Sequence, residues 1–136
     1  MTIDTILISE YASADAVGRF SVVNAFNRIS GKGPTWGLPI MYLTLVAHGP
    51  QREAGMAWDG EIFLLNSAGE RVREEPFTFR MAFSDNIDSG PGMPMRSVVG
   101  VAFAGLRFTE PGMYVFQVLL DGLYEASTTL WIEKSE

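Results

Sequence analysis

A chain of 136 residues lies within the size of one domain. Ten Lys and Arg against sixteen Asp and Glu leave a net charge of −6, and 47% of the residues are hydrophobic against 19% charged. This excludes a disordered chain and argues against a nucleic-acid binder, since the basic residues neither dominate nor cluster. The lack of cysteine excludes disulfides, thiolate metal sites and a thiol nucleophile.

The opening Met1-Thr2-Ile3-Asp4-Thr5 has no basic region ahead of an apolar stretch, so no secretory signal is expected. Ile3 to Glu10 reads as a short β-branched strand. Arg19 to Ile29 reads as a second strand, stopped by Gly31-Lys32-Gly33-Pro34. Ile40 to Ala47 is a third, ending at Gly49-Pro50. Pro50 to Ala54 offers a single helical turn, cut short by Gly55. Gly60 to Leu65 is a strand closed by the turn cluster Asn66-Ser67-Ala68-Gly69, and Glu70 to Glu75 is placed to pair back with it. In Pro76 to Phe83, Phe77, Phe79, Met81 and Phe83 alternate with Thr78, Arg80 and Ala82, the period of a half-buried strand. Val98 to Phe108 is apolar on both faces, as a central strand would be. Its fully apolar or glycine run, Val98 to Leu106, spans nine residues, far below the roughly 20 of a bilayer-spanning helix.

Residues 113–133 read as a β-hairpin. Tyr114, Phe116, Val118 and Leu120 share one face. Asp121-Gly122 supplies the two positive-φ positions of a tight turn, and Tyr124, Ala126, Thr128, Leu130 and Ile132 share a face on the way back. No linker, charge block or repeat divides the chain, so a single domain over 1–136 is expected. The predicted fold is an all-β, antiparallel, immunoglobulin-like sandwich of seven to nine strands with at most one short helical turn. Its predicted core contains Phe20, Val22, Phe77, Phe79, Val101, Phe103, Tyr114, Phe116, Leu130 and Ile132.

Catalytic candidates are sparse. His48 is the sole imidazole and no Gly-x-Ser-x-Gly elbow exists, so a turn histidine is a better reading than a catalytic one. Asp85-Asn86-Ile87-Asp88-Ser89-Gly90 bunches oxygen ligands, but Asp and Asn are also ordinary turn residues and the EF-hand spacing is absent. Met93-Pro94-Met95 offers soft thioethers for copper(I), against the commoner use of Met as a gap filler and adaptable contact. Gly31 to Pro39 lacks the order of a phosphate loop. Its Trp36 either folds back onto a sheet edge or presents a contact aromatic, and folding back is favoured because an exposed indole leaves a large apolar area wet.

Three stretches together resemble a family of small bacterial proteins. They are Ile6-Leu7-Ile8-Ser9-Glu10-Tyr11-Ala12 followed by Gly18 to Phe26, then Glu110-Pro111-Gly112-Met113-Tyr114-Val115-Phe116, then Asp121-Gly122. The family is a domain of unknown function with an immunoglobulin-like sandwich. Asn24-Ala25 stands where its glycine pair precedes the phenylalanine. The resemblance implies that Tyr114 is a tyrosine corner, its hydroxyl returning to upstream backbone. It implies no activity, cofactor or metal.

The expected function is a non-enzymatic binding or assembly module in the cytoplasm, acting without cofactor, nucleic acid or membrane. Its partner would be a second copy or another protein, because more strand positions are apolar than one core can use. The candidate surface is the outer face of Val98–Phe108 and Met113–Leu120, through Val115 and Leu119. Met93 and Met95 would stand at its rim, and Trp36 would be a further contact. The alternative is a small-ligand or cation site in the 84–97 loop, with Asp85 and Asp88 as ligands.

Overall fold

The fold is known from a computed structural model describing residues 1–15, 19–83 and 92–136. Its nine strands are β1 (Thr2–Ala14), β2 (Phe20–Ala25), β3 (Arg28–Gly31), β4 (Ile40–Gly49), β5 (Ala57–Leu65), β6 (Phe77–Ala82), β7 (Met95–Ala104), β8 (Gly112–Leu120) and β9 (Tyr124–Lys134). A single 3-10 turn, Gln51–Glu53, is the one helical element among the described residues, where Pro50 to Ala54 offered it. Four strands form one sheet in the order β2-β1-β4-β7, and five form the other in the order β3-β9-β8-β5-β6. All pairs are antiparallel except β3 with β9, so the two sheets form the all-β, mostly antiparallel sandwich expected.

The core lies between the sheets. Met41, Leu43, Leu45 and Ala47 of β4 and Phe103 of β7 meet Ile62 and Leu64 of β5, Phe116, Val118 and Leu120 of β8, and Leu130 and Ile132 of β9. The Phe103 and Phe116 rings lie 5.5 Å apart, joining the two sheets at the centre. Alternation along β8 and β9 follows the predicted faces, and the turn between them has positive φ at both Asp121 (49°) and Gly122 (67°). Leu120 pairs with Tyr124, so Leu123 stands as an extra residue at the tip, 80% exposed.

Tyr114 makes the corner that the resemblance implied. Its hydroxyl donates to the Glu110 carbonyl at 2.6 Å. Trp36 folds back: it is 6% exposed, its Nε1 donates to the Gly31 carbonyl at 2.9 Å, and its backbone exchanges hydrogen bonds with Phe108. A Cβ on Gly33 would lie 2.8 Å from the indole ring, so the glycine-rich stretch makes room for Trp36 as it closes one end of the sandwich.

Four expectations need correction. First, Arg19 to Ile29 is not one strand. Asn24 takes a φ of 54°, and the chain leaves the four-stranded sheet as β2 and enters the other as β3. Second, Glu70 to Glu75 contributes one isolated bridge, Leu65 to Arg71, rather than a strand. Third, the run from Val98 is not central. It belongs to β7, at the edge of its sheet, and the strand buried on both faces is β4. Fourth, Phe20 and Val22 are only half-buried and stand outside the core cluster.

The outer face of β4 explains that last point. Thr44 and Val46 point away from the core yet are 1% and 2% exposed. A straight continuation of β1 past its Ser9–Tyr42 pair would carry Ala14, and Phe20 paired with it, roughly 35 Å from Arg96 at about 3.3 Å per residue. Instead Arg96 lies 5.1 Å from the Phe20 ring. The β1–β2 hairpin therefore bends back across the outer face of its own sheet. Pairing with β4 ends at the fully buried Ser9, whose hydroxyl donates to the Tyr11 carbonyl. The second apolar face of this sheet is covered from within the chain.

Candidate interaction surface

The outer face of the five-stranded sheet is built differently. Met113, Val115, Gln117 and Leu119 of β8 point outward between the inward residues of the same strand. Cross-strand register sets Met113 beside Trp131, Val115 beside Leu65 and Thr129, Gln117 beside Phe63 and Ser127, and Leu119 beside Glu61 and Glu125. Trp131 is 48% exposed, and Met113, Val115, Leu65 and Leu119 are half-buried. Phe63 is closed over by Arg71, whose guanidinium stands 4.3 Å above the ring centre. Trp131, Met113, Val115 and Leu65 thus form a contiguous apolar row across three strands.

The flanks of the row are polar. Gln117 Nε2 donates to Glu125 Oε1 at 2.8 Å, and Arg28 pairs with Glu133 at 3.4 Å. Both are exposed and contribute little to stability. They frame an apolar centre with a wet rim, the anatomy of a protein-protein contact.

The structure separates the residues that the sequence grouped. Val115 and Leu119 lie on this face as predicted. The outer face of β7 belongs to the other sheet and looks the opposite way, so no single surface runs across β7 and β8. Met95 is 6% exposed and packs into the core from β7, and Trp36 is buried at the sandwich end, so neither lies on a surface. Met93 is 57% exposed but stands at another place, beside His48. Trp131, Met113 and Leu65 were missed. Trp131 had a signal: it is the one aromatic in the outward series Glu125, Ser127, Thr129, Trp131, Glu133.

His48 and Met93 line an open depression of about 400 Å³ with Thr2, Gln51 and Pro94. Asp4 holds the imidazole through Nδ1, at 2.7 and 2.8 Å from its two carboxylate oxygens. An imidazole so oriented has the partner a base requires, but among the described residues no hydroxyl is bonded to its other nitrogen. Among those residues there is also no group of three or more His, Cys, Asp or Glu able to hold a metal. Asp85 and Asp88 lie outside the described residues. Met93 faces solvent and Met95 the core, so the two thioethers do not converge.

The sequence profile of a family of unknown function, DUF6941, matches residues 4–133. The chain belongs to this family. The match takes in both sheets, the β1–β2 hairpin and the Tyr114 corner, so the resemblance read from three stretches extends to nearly the whole fold. No curated protein matches the sequence. Among the described residues no helix is long and apolar enough to cross a membrane.

Proposed function

We propose that this protein is a non-enzymatic binding and assembly module of the cytoplasm, and that it docks another protein through the outer face of the five-stranded sheet. The observation that carries the reading is the contrast between the two outer faces. One is covered by the chain's own hairpin. The other leaves Trp131, Met113, Val115 and Leu65 in a row at positions where alternation ordinarily places polar side chains. Trp and Met are side chains enriched at contact centres, and the row is bordered by Arg28, Thr129, Gln117 and Glu133 rather than interrupted by them.

The chemistry of the partner follows. It presents an apolar patch, and it does not have the uniform negative charge of nucleic acid or of an anionic membrane, since the chain itself carries −6. No cofactor enters the reading. Affinity capture from source cells with the native chain and with Val115→Glu tests it. A protein recovered in stoichiometric amount with the native chain and lost with the variant is the expected result. The same proteins recovered with both would overturn it, provided the variant melts as the native chain does.

A further inference from the structure

The two sheets have four edges, and three carry the features by which β-proteins avoid edge-to-edge pairing. β3 is four residues long and begins at Arg28. β2 is six residues long and broken by the positive φ of Asn24. β6 follows Pro76 and carries Arg80. The fourth edge, β7, is ten residues long. It has no proline and no bulge in its register with β4, and no charged residue from Ser97 to Leu106. Its outward positions are Val98, Gly100, Ala102 and Ala104, of which the last three are exposed. A Cβ on Gly100 would meet nothing within 4 Å. Among the described residues no strand pairs with the outer side of β7, and alternate residues of such an edge turn N–H and C=O groups away from its one neighbour, a template for another strand.

We infer that β7 is a strand-addition edge whose occupant is β7 of a second copy, paired antiparallel about a two-fold axis into one continuous eight-stranded sheet. The inference rests on the reading of the chain as an assembly module but uses a different surface. A two-fold that keeps both cores on the same side of the joined sheet must pair residues of the same face, and centring it on Gly100 satisfies this. Val98 then lies opposite the second copy's Ala102, and Arg96 opposite its Ala104. The one charged residue of the strand meets a small neutral one, so no like charges oppose each other along the ladder. Gly100 meets Gly100 at the axis, where side chains from two copies would otherwise crowd.

Light scattering and dilution of the full chain test this. The native chain should show a mass twice 15.0 kDa. Ala104→Lys sets like charges opposite Arg96 twice in the dimer and Ala104→Glu sets opposite ones. The first should weaken and the second tighten association, with about tenfold between their dissociation constants. Ala104 is exposed, so both variants should keep the native melting temperature. A mass of 15.0 kDa at every concentration up to the solubility limit overturns the inference, as does a dimer indifferent to both substitutions. A dimer dissolved by Val115→Glu instead would show that the sheet face joins the copies, overturning the edge while leaving the assembly reading in place.

Discussion

Tyr114 shows how much one hydroxyl settles. Its ring is buried against Phe108, with centroids 4.7 Å apart, and its hydroxyl donates to the Glu110 carbonyl four residues upstream, tying down the chain as it enters β8. Tyr114→Phe should therefore cost about 1–3 kcal/mol without abolishing folding, read from the denaturation midpoint. The same group gives a pH dependence. Burial, reinforced by the Glu110 carboxylate, raises the phenol above its ordinary range. A raised acid holds its proton more tightly folded than unfolded. Its stabilising contribution is thus complete below the unfolded value near 10 and falls as pH rises through the folded one. Denaturation midpoints from pH 8 upward should decline less steeply in Tyr114→Phe than in the native chain.

Among the elements, the β5–β6 pair has an unusual joint. Gly60 stands opposite Phe79, and the ring lies over it so closely that a Cβ there would overlap the ring carbons. Glycine is required by the approach of an aromatic, not by its φ. This is why β5 tolerates a residue that otherwise weakens strands. Gly60→Ala should cost about 1–3 kcal/mol by displacing the ring. In the Phe79→Ala background the same change should cost clearly less, because the space is then free. A double-mutant cycle by urea denaturation measures that coupling, and additive costs would show that the two side chains do not compete.

For the whole molecule, one core and one self-covered face predict two sizes of effect. Phe116 is 0% exposed between the sheets, so Phe116→Ala should cost about 3–5 kcal/mol. Phe20 lies half-buried on the hairpin beside Arg96, outside that core, so Phe20→Ala should cost under about 2 kcal/mol. Thermal or urea midpoints of the two variants decide. Equal losses would mean that the hairpin and sandwich unfold as one unit with the hairpin as part of the core.

Periodicity, turn chemistry and composition alone determined the all-β class, the faces of β8 and β9, the Asp121-Gly122 turn, and Val115 and Leu119 on an outward face. These are local consequences of period-two alternation and positive-φ residues, and alternation survives whatever the strand packs against. Only the tertiary structure decided which strand is central. β4 and β7 are both apolar on two faces, and a two-sided apolar strand reads the same whether it is flanked on both sides or left open on one. It also decided what covers the outer face of β4, because a hairpin folding back over its own sheet depends on β1 parting from β4 after Ser9, which no pattern marks. Placing β7 and β8 in opposite sheets likewise depended on long-range pairing, so the surface drawn across both dissolved, while Trp131, Met113 and Leu65 came together from three strands far apart in sequence.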